Sequence, residues 1–204
     1  MQPATTEPVT LGDELEAWLK SDGEKTLGSL VEAFGDKSFA ILFVFLLGVP
    51  ALPVPTGGAT HVLIVIAILI ALELVAGRHE VWLPQRWRSL SLAGDKWQRF
   101  LTSLTKFVRR LERFSRPRLP FLFRHRLADV VFGLLVIGGS IAAFVAPPFT
   151  GLDTLPALGV VLLALAMLFE DALVALAGLI VLVVGVVLEV VLGAAAVHGV
   201  SSLL

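Results

Sequence analysis

Six acids sit inside or beside long apolar runs: Glu73, Asp129, Asp153, Glu170, Asp171 and Glu189. A charged side chain at membrane depth is costly, and those that occur mark ion or substrate paths, proton relays or paired interior contacts. These six are therefore the candidates for substrate or ion coupling. Glu189 is the clearest, because it lies well inside the last apolar stretch, Ala172–Val197. Gly178, Gly185, Glu189 and Gly193 stand at offsets 0, 7, 11 and 15, which places them on one helical face. Small residues there let another helix approach closely. The spacing predicts that Glu189 faces a packed interface, within or between protomers, rather than lipid. Proton or substrate coupling is one role; a structural hydrogen bond is the plainer one. Plainer roles exist for the others too. Glu73 can snorkel to the surface near Arg78, and Asp129 can cap a helix. Glu170-Asp171 can cap the last helix or pair with an arginine of the central segment.

Other chemistries find little support. There is no Cys, so disulfides, Cys metal sites and thiol nucleophiles are excluded. His61, His79, His125 and His198 have no metal-ligand spacing, and neither metal nor cofactor is expected. No nucleophile elbow, Walker loop or dinucleotide fingerprint occurs. Gly57-Gly58 alone is too weak to predict a phosphate cradle. No catalytic residue is assigned and the chain is not expected to be an enzyme. The enzymatic alternative, action on a lipid-linked sugar, requires Glu73 and Glu170 to approach each other in space.

The elements that position these acids are apolar. The 204 residues are 56% hydrophobic, with a mean hydropathy of +0.88. Soluble domains are usually about 45–50% apolar. The expected fold is an all-α polytopic membrane protein with two helical hairpins, amphipathic surface helices and one further C-terminal transmembrane helix. Its segments are 1–37, two amphipathic cytoplasmic helices; 38–77, a first membrane hairpin; 78–126, a basic cytoplasmic segment; 127–169, a second hairpin; and 170–204, the last helix and tail. The hairpin tips carry Pro53, Pro55 and Gly57, and Pro147 and Pro148. Crossing about 30 Å of hydrocarbon takes about 20 helical residues. Phe39–Val49 needs Ala51–Pro55 to approach that length, and His61–Ala76 is short. Either both helices span, or the pair is re-entrant with its tip inside the bilayer, which requires a protein or water lining.

Three of 16 Lys+Arg, namely Lys20, Lys25 and Lys37, precede Arg78; the other 13 lie in Arg78–Arg126 and none follows. The positive-inside rule puts that segment in the cytoplasm, with five membrane segments, N-terminus in and C-terminus out. Asp95–Phe114 reads as an amphipathic helix. Trp97, Phe100, Leu101, Leu104, Val108, Leu111 and Phe114 share one face, opposite a basic one. Arg109, Arg110, Arg113, Arg116 and Arg118 are candidates for binding anionic lipid or a partner. No nucleic-acid motif accompanies them, and nucleic acid is not an expected partner. Pro53–Gly57 and Pro147–Gly151, and Glu73 and Glu170, correspond at an offset of about 94–97 residues, a possible internal repeat of the transporter kind. With few segments per chain, a homodimer is expected.

An ordered set of short motifs resembles the ExoD family of exopolysaccharide-synthesis membrane proteins. It comprises Gly35-Asp36-Lys37-Ser38-Phe39, Leu52-Pro53-Val54-Pro55, Gly77-Arg78 with Trp82-Leu83-Pro84, and Leu111-Glu112-Arg113 with Arg116-Pro117-Arg118. Leu155-Pro156-Ala157 and Glu170-Asp171 follow in the same order, so the resemblance covers roughly residues 10 to 195. Two positions depart from it: Asp153 stands where the family tends to have Asn, and Glu170-Asp171-Ala172 where it tends to have Arg-Asp-Gly. The resemblance implies a bacterial inner-membrane protein of exopolysaccharide synthesis or export, and polysaccharide-synthesis machinery as a partner. It does not supply a reaction. A proton-coupled transporter, a non-transporting scaffold and the enzyme above remain the alternatives.

Overall fold

A computed structural model describes residues 10–52, 59–78, 80–123, 125–146 and 151–201. Among the described residues the structure is helical, with no β-strand beyond two isolated bridges. All five tip residues singled out above, Pro53, Pro55, Gly57, Pro147 and Pro148, lie outside them. The chain divides into two compact units, Met1–Ala33 with Leu83–Ser115, and Phe34–Trp82 with Arg116–Leu204.

The first unit holds α1 (Leu11–Lys20), most of α2 (Leu27–Phe34), α5 (Gln85–Arg88) and α6 (Asp95–Glu112). Thr10 caps α1 in a reciprocal box with Asp13, as its sequence suggests. Leu11, Leu15 and Trp18 are buried, as are Leu101, Leu104 and Val108 of α6. The α6 helix stops at Glu112, and Phe114, expected on its apolar face, is exposed. Glu112 explains how the two helices meet. Its carboxylate accepts from the Leu11 and Gly12 amides at 2.8 and 3.4 Å. These amides have no acceptor within α1, so a carboxylate from the end of α6 completes its first turn. Arg109 then binds Asp13 at 2.8 Å and also Glu16.

Hydrogen bonds from Thr10, aided by Arg109, hold the Asp13 carboxyl below its ordinary range. A bond from Lys20, aided by Arg109, does so for Glu16. Both folded-state values are depressed, so their stabilisation is present above the unfolded value of roughly 4 and is lost as pH falls through the lower folded one. The protection factors of the α1 amides, which divide out the intrinsic slowing of exchange in acid, are therefore expected to fall at acidic pH. Both groups are exposed, so the effect should be modest and shrink in high salt. Protection factors in α1 that stay constant as pH falls would count against this role.

The second unit is built around α3 (Ser38–Gly48). All eleven of its residues are buried. A helix apolar on every side belongs in a core. Gly35, at φ +47°, ends α2 and lets the chain enter this core. Around α3 stand α4 (Ala59–Val75), α7 (Arg126–Val145) and α8 (Thr154–Phe169), while α9 (Ala172–Ser201) packs chiefly on α8. Within each hairpin the two helices touch, and across hairpins α3 packs on α8 and α4 on α7. Phe43 of α3 meets Phe132 of α7 edge-to-face at 5.6 Å.

Among the described residues two helices are long and apolar enough to cross a membrane, Arg126–Val145 and residues 172–195 of α9. Only 33% and 22% of these stretches are buried. Eleven residues make α3 about 16 Å long.

Candidate functional site

Glycines set how closely α8 and α9 approach. A Cβ at Gly159 would lie 2.6 Å from Leu182 Cα, one at Gly178 would lie 2.8 Å from Leu163 N, and one at Gly185 would lie 2.7 Å from Pro156 N. The two helices are antiparallel and in backbone contact. Gly178 and Gly185 therefore face α8 of the same chain, whereas Gly193 has nothing within 4 Å among the described residues. One turn beyond Gly185, Glu189 comes opposite the turn that opens α8. It lies near enough to Asp153, the residue preceding α8, for their charges to interact.

This end of the bundle, next to both hairpin tips, collects polar atoms without partners. Glu189 Oε2, Thr154 Oγ1, Ser140 Oγ and His61 Nδ1 are buried with no hydrogen-bond partner among the described residues. They come from α9, the start of α8, the end of α7 and the start of α4. Ser140 is fully buried. His61 packs its ring on Phe144 of α7 at 5.1 Å, edge-to-face. Buried polar groups are ordinarily satisfied, so these four among the described residues make this end the candidate site. Glu189 and Asp153 were legible in the sequence. His61, Ser140 and Thr154 were not singled out; each is a lone polar residue in or at the edge of an apolar run, and that was the available signal.

At the opposite end the acids Glu73, Asp129, Glu170 and Asp171 all have partners. Glu170, in the left-handed region at φ 50°, ends α8. Asp171 then caps α9: its Oδ1 accepts from the Leu173 amide at 2.9 Å. Its Oδ2 accepts from the Arg116 amide at 2.9 Å, and Arg118 Nη1 donates to both oxygens at 3.2 and 3.0 Å. The Asp171 side chain is wholly buried, while that of Arg118 is 40% exposed. Both readings of this acid, cap and arginine partner, are therefore realised at once. Glu73 Oε2 accepts from the Trp82 amide at 2.8 Å, and Arg126 reaches the end of α4 at Ala76 O. Asp129 lies in the first turn of α7, where an acid suits the helix end. Of the arginines, Arg109 and Arg118 are engaged in ion pairs, and Arg110, Arg113 and Arg116 are exposed. No group of three or more metal-ligating side chains occurs among the described residues.

Residues 11–191 match the family described as "Exopolysaccharide synthesis, ExoD". The chain belongs to the ExoD family. It is 31% identical to Protein ExoD of Rhizobium meliloti over 172 residues, 84% of this chain and 71% of that one. It is 32% identical over 173 residues to an uncharacterised protein of Synechocystis sp., covering 83% and 81% of the two chains. No solved structure matches. The match supports an involvement in exopolysaccharide synthesis, as the ExoD family is described. Two motifs by which the chain resembles ExoD proteins, Arg116-Pro117-Arg118 and Glu170-Asp171, meet in the Arg118–Asp171 pair.

Proposed function

We propose that this protein is a multi-pass inner-membrane component of exopolysaccharide synthesis or export. It works in a transporter-like, non-catalytic way, through a polar site at the tip end of its two hairpins. The observation that carries this is the Glu189 carboxylate, inside a helix long enough to span, with an oxygen that has no partner among the described residues. An orphaned buried polar group costs about 1–3 kcal/mol. Four at one end of the bundle favour a site that takes a polar ligand or proton there. Asp153 supplies a second carboxylate beside it.

The low burial of α7 and α9 favours a hydrocarbon environment over a soluble core. At about 16 Å, α3 reaches about halfway through a bilayer, which favours the re-entrant reading of the first hairpin. Exchanging the two hairpins turns the α3–α8 pairing into α7–α4, as a parallel internal repeat requires. The basic segment then faces the cytoplasm, and the exposed α9 face meets lipid or a second copy.

Glu189→Gln keeps the shape and removes the charge and the titratable proton. It is expected to abolish exopolysaccharide secretion while leaving the membrane level of the protein unchanged. Full secretion would remove Glu189 from the mechanism. The scaffold reading is favoured by the exposed Arg110 and Arg113, while Arg109 is occupied by Asp13 and Glu16. In that case Glu189→Gln is silent, and neutralising Arg110 and Arg113 lowers secretion.

A further inference from the structure

An apolar groove of about 490 Å³ opens at the Asp171 end of the second unit. A short 3-10 turn, Pro120–Phe123, forms one wall through Phe121 and Phe123. Val131 of α7, Leu163 and Met167 of α8, and Ala175 of α9 line the rest. The volume lies within the range of about 300–1,000 Å³ usual for small-molecule sites. Of the described residues lining it, His125 alone is polar.

The wall also carries charge. The stretch Arg116–Leu127, RPRLPFLFRHRL, holds four arginines and His125 and no acid. Asp171 is paired with Arg118, and Asp129 and Glu170 each take part in an interaction. The turn supplies the apolar wall, and the exposed Arg116 and the partly exposed Arg118 precede it in the chain. We infer that this groove holds an acyl chain of an anionic phospholipid, with its headgroup toward Arg116, the exposed arginine that precedes the wall. This inference rests on the membrane reading above. Both helices long enough to span line the groove, so hydrocarbon is the solvent at its mouth. Arg116 precedes α7 in the chain, where basic residues flanking a membrane helix meet anionic headgroups. The site is separate from the tip-end acids and would anchor or orient the bundle rather than serve the proposed transport step.

The full chain, purified in a non-ionic detergent, is titrated with phosphatidylglycerol and phosphatidylcholine and read by native mass spectrometry. Phosphatidylglycerol is expected to bind more tightly, and Arg116→Gln to weaken it by about fivefold, the worth of one basic residue near an anionic surface. Val131→Trp, at a half-exposed position able to take a large ring, should abolish binding by filling the groove. Ala175→Phe is the second filling variant, and unchanged helicity qualifies either one. Equal binding of the two lipids by the wild type overturns the inference, as does phosphatidylglycerol binding that survives in a folded filled variant. Alkaline extraction of membranes reads the membrane assignment separately. Wild-type protein released by extraction sinks that reading, whereas protein retained in the pellet without lipid preference sinks only the groove.

Discussion

Asp171→Ala is expected to destabilise the protein by about 3 kcal/mol, the sum of a lost N-cap and buried donors left without an acceptor. The Asp171 carboxylate is wholly buried and serves the Leu173 amide, the Arg116 amide and the Arg118 guanidinium together. Losing an N-cap costs about 0.5–2 kcal/mol, and each orphaned buried donor about 1–3. The full penalty of breaking a buried ion pair, about 3–5 kcal/mol, is not added, because Arg118 is 40% exposed and can return to water. Arg118→Gln should therefore cost less, about 1–2 kcal/mol, since the carboxylate keeps both amides. Thermal unfolding in detergent, followed by circular dichroism, orders the two variants. A neutral Asp171→Ala would mean that the strap from Arg116 to Arg118 is not held by this acid.

Gly159→Ala is expected to cost about 3 kcal/mol, at the upper end of what one added methyl does in a packed interior. The new Cβ would fall 2.6 Å from both the backbone nitrogen and the Cα of Leu182. Those atoms cannot rotate away as a side chain would, so α9 must move off α8. The movement carries Glu189 away from the turn before α8, so exopolysaccharide secretion should fall with stability. Gly193→Ala is the control: among the described residues nothing lies within 4 Å of its Cβ. It should be neutral, or stabilising by up to about 1 kcal/mol through helix propensity. Equal melting temperatures for Gly159→Ala and Gly193→Ala would show that the close approach of the two helices is not what holds α9.

Much of the second unit is legible in one dimension. A helix apolar on every side, such as α3, can be read from composition, because no solvent-facing register has to be encoded. The start of α1 and the end of α2 are legible for the opposite reason: Thr10 and Gly35 satisfy local backbone needs that extend only a few residues. Phe114 misled for a related reason. It continues the spacing of three and four past Glu112, yet periodicity does not say where the helix stops.

The candidate site divides in the same way. Asp171 was visible as an acid at a helix break, and Arg118 as one of many arginines; only the fold brings these residues, 53 positions apart, together. Glu112 gave no signal as a cap for α1, because the amides that it serves lie about 100 residues earlier. Arg109 read as one of five arginines free to meet lipid, yet it spends its charge on Asp13 and Glu16. By itself the sequence determined the helical class, the excess of apolar surface, the family and the face that carries Glu189. These follow from composition and from short-range periodicity. Tertiary structure alone decided that this face packs on α8, that His61, Ser140 and Thr154 share its end of the bundle, and which charges are already paired. The physical reason is that a periodic sequence specifies a face but not its partner. The partner is chosen by close packing and by the pairing of buried polar groups, both of which act between residues far apart in the chain.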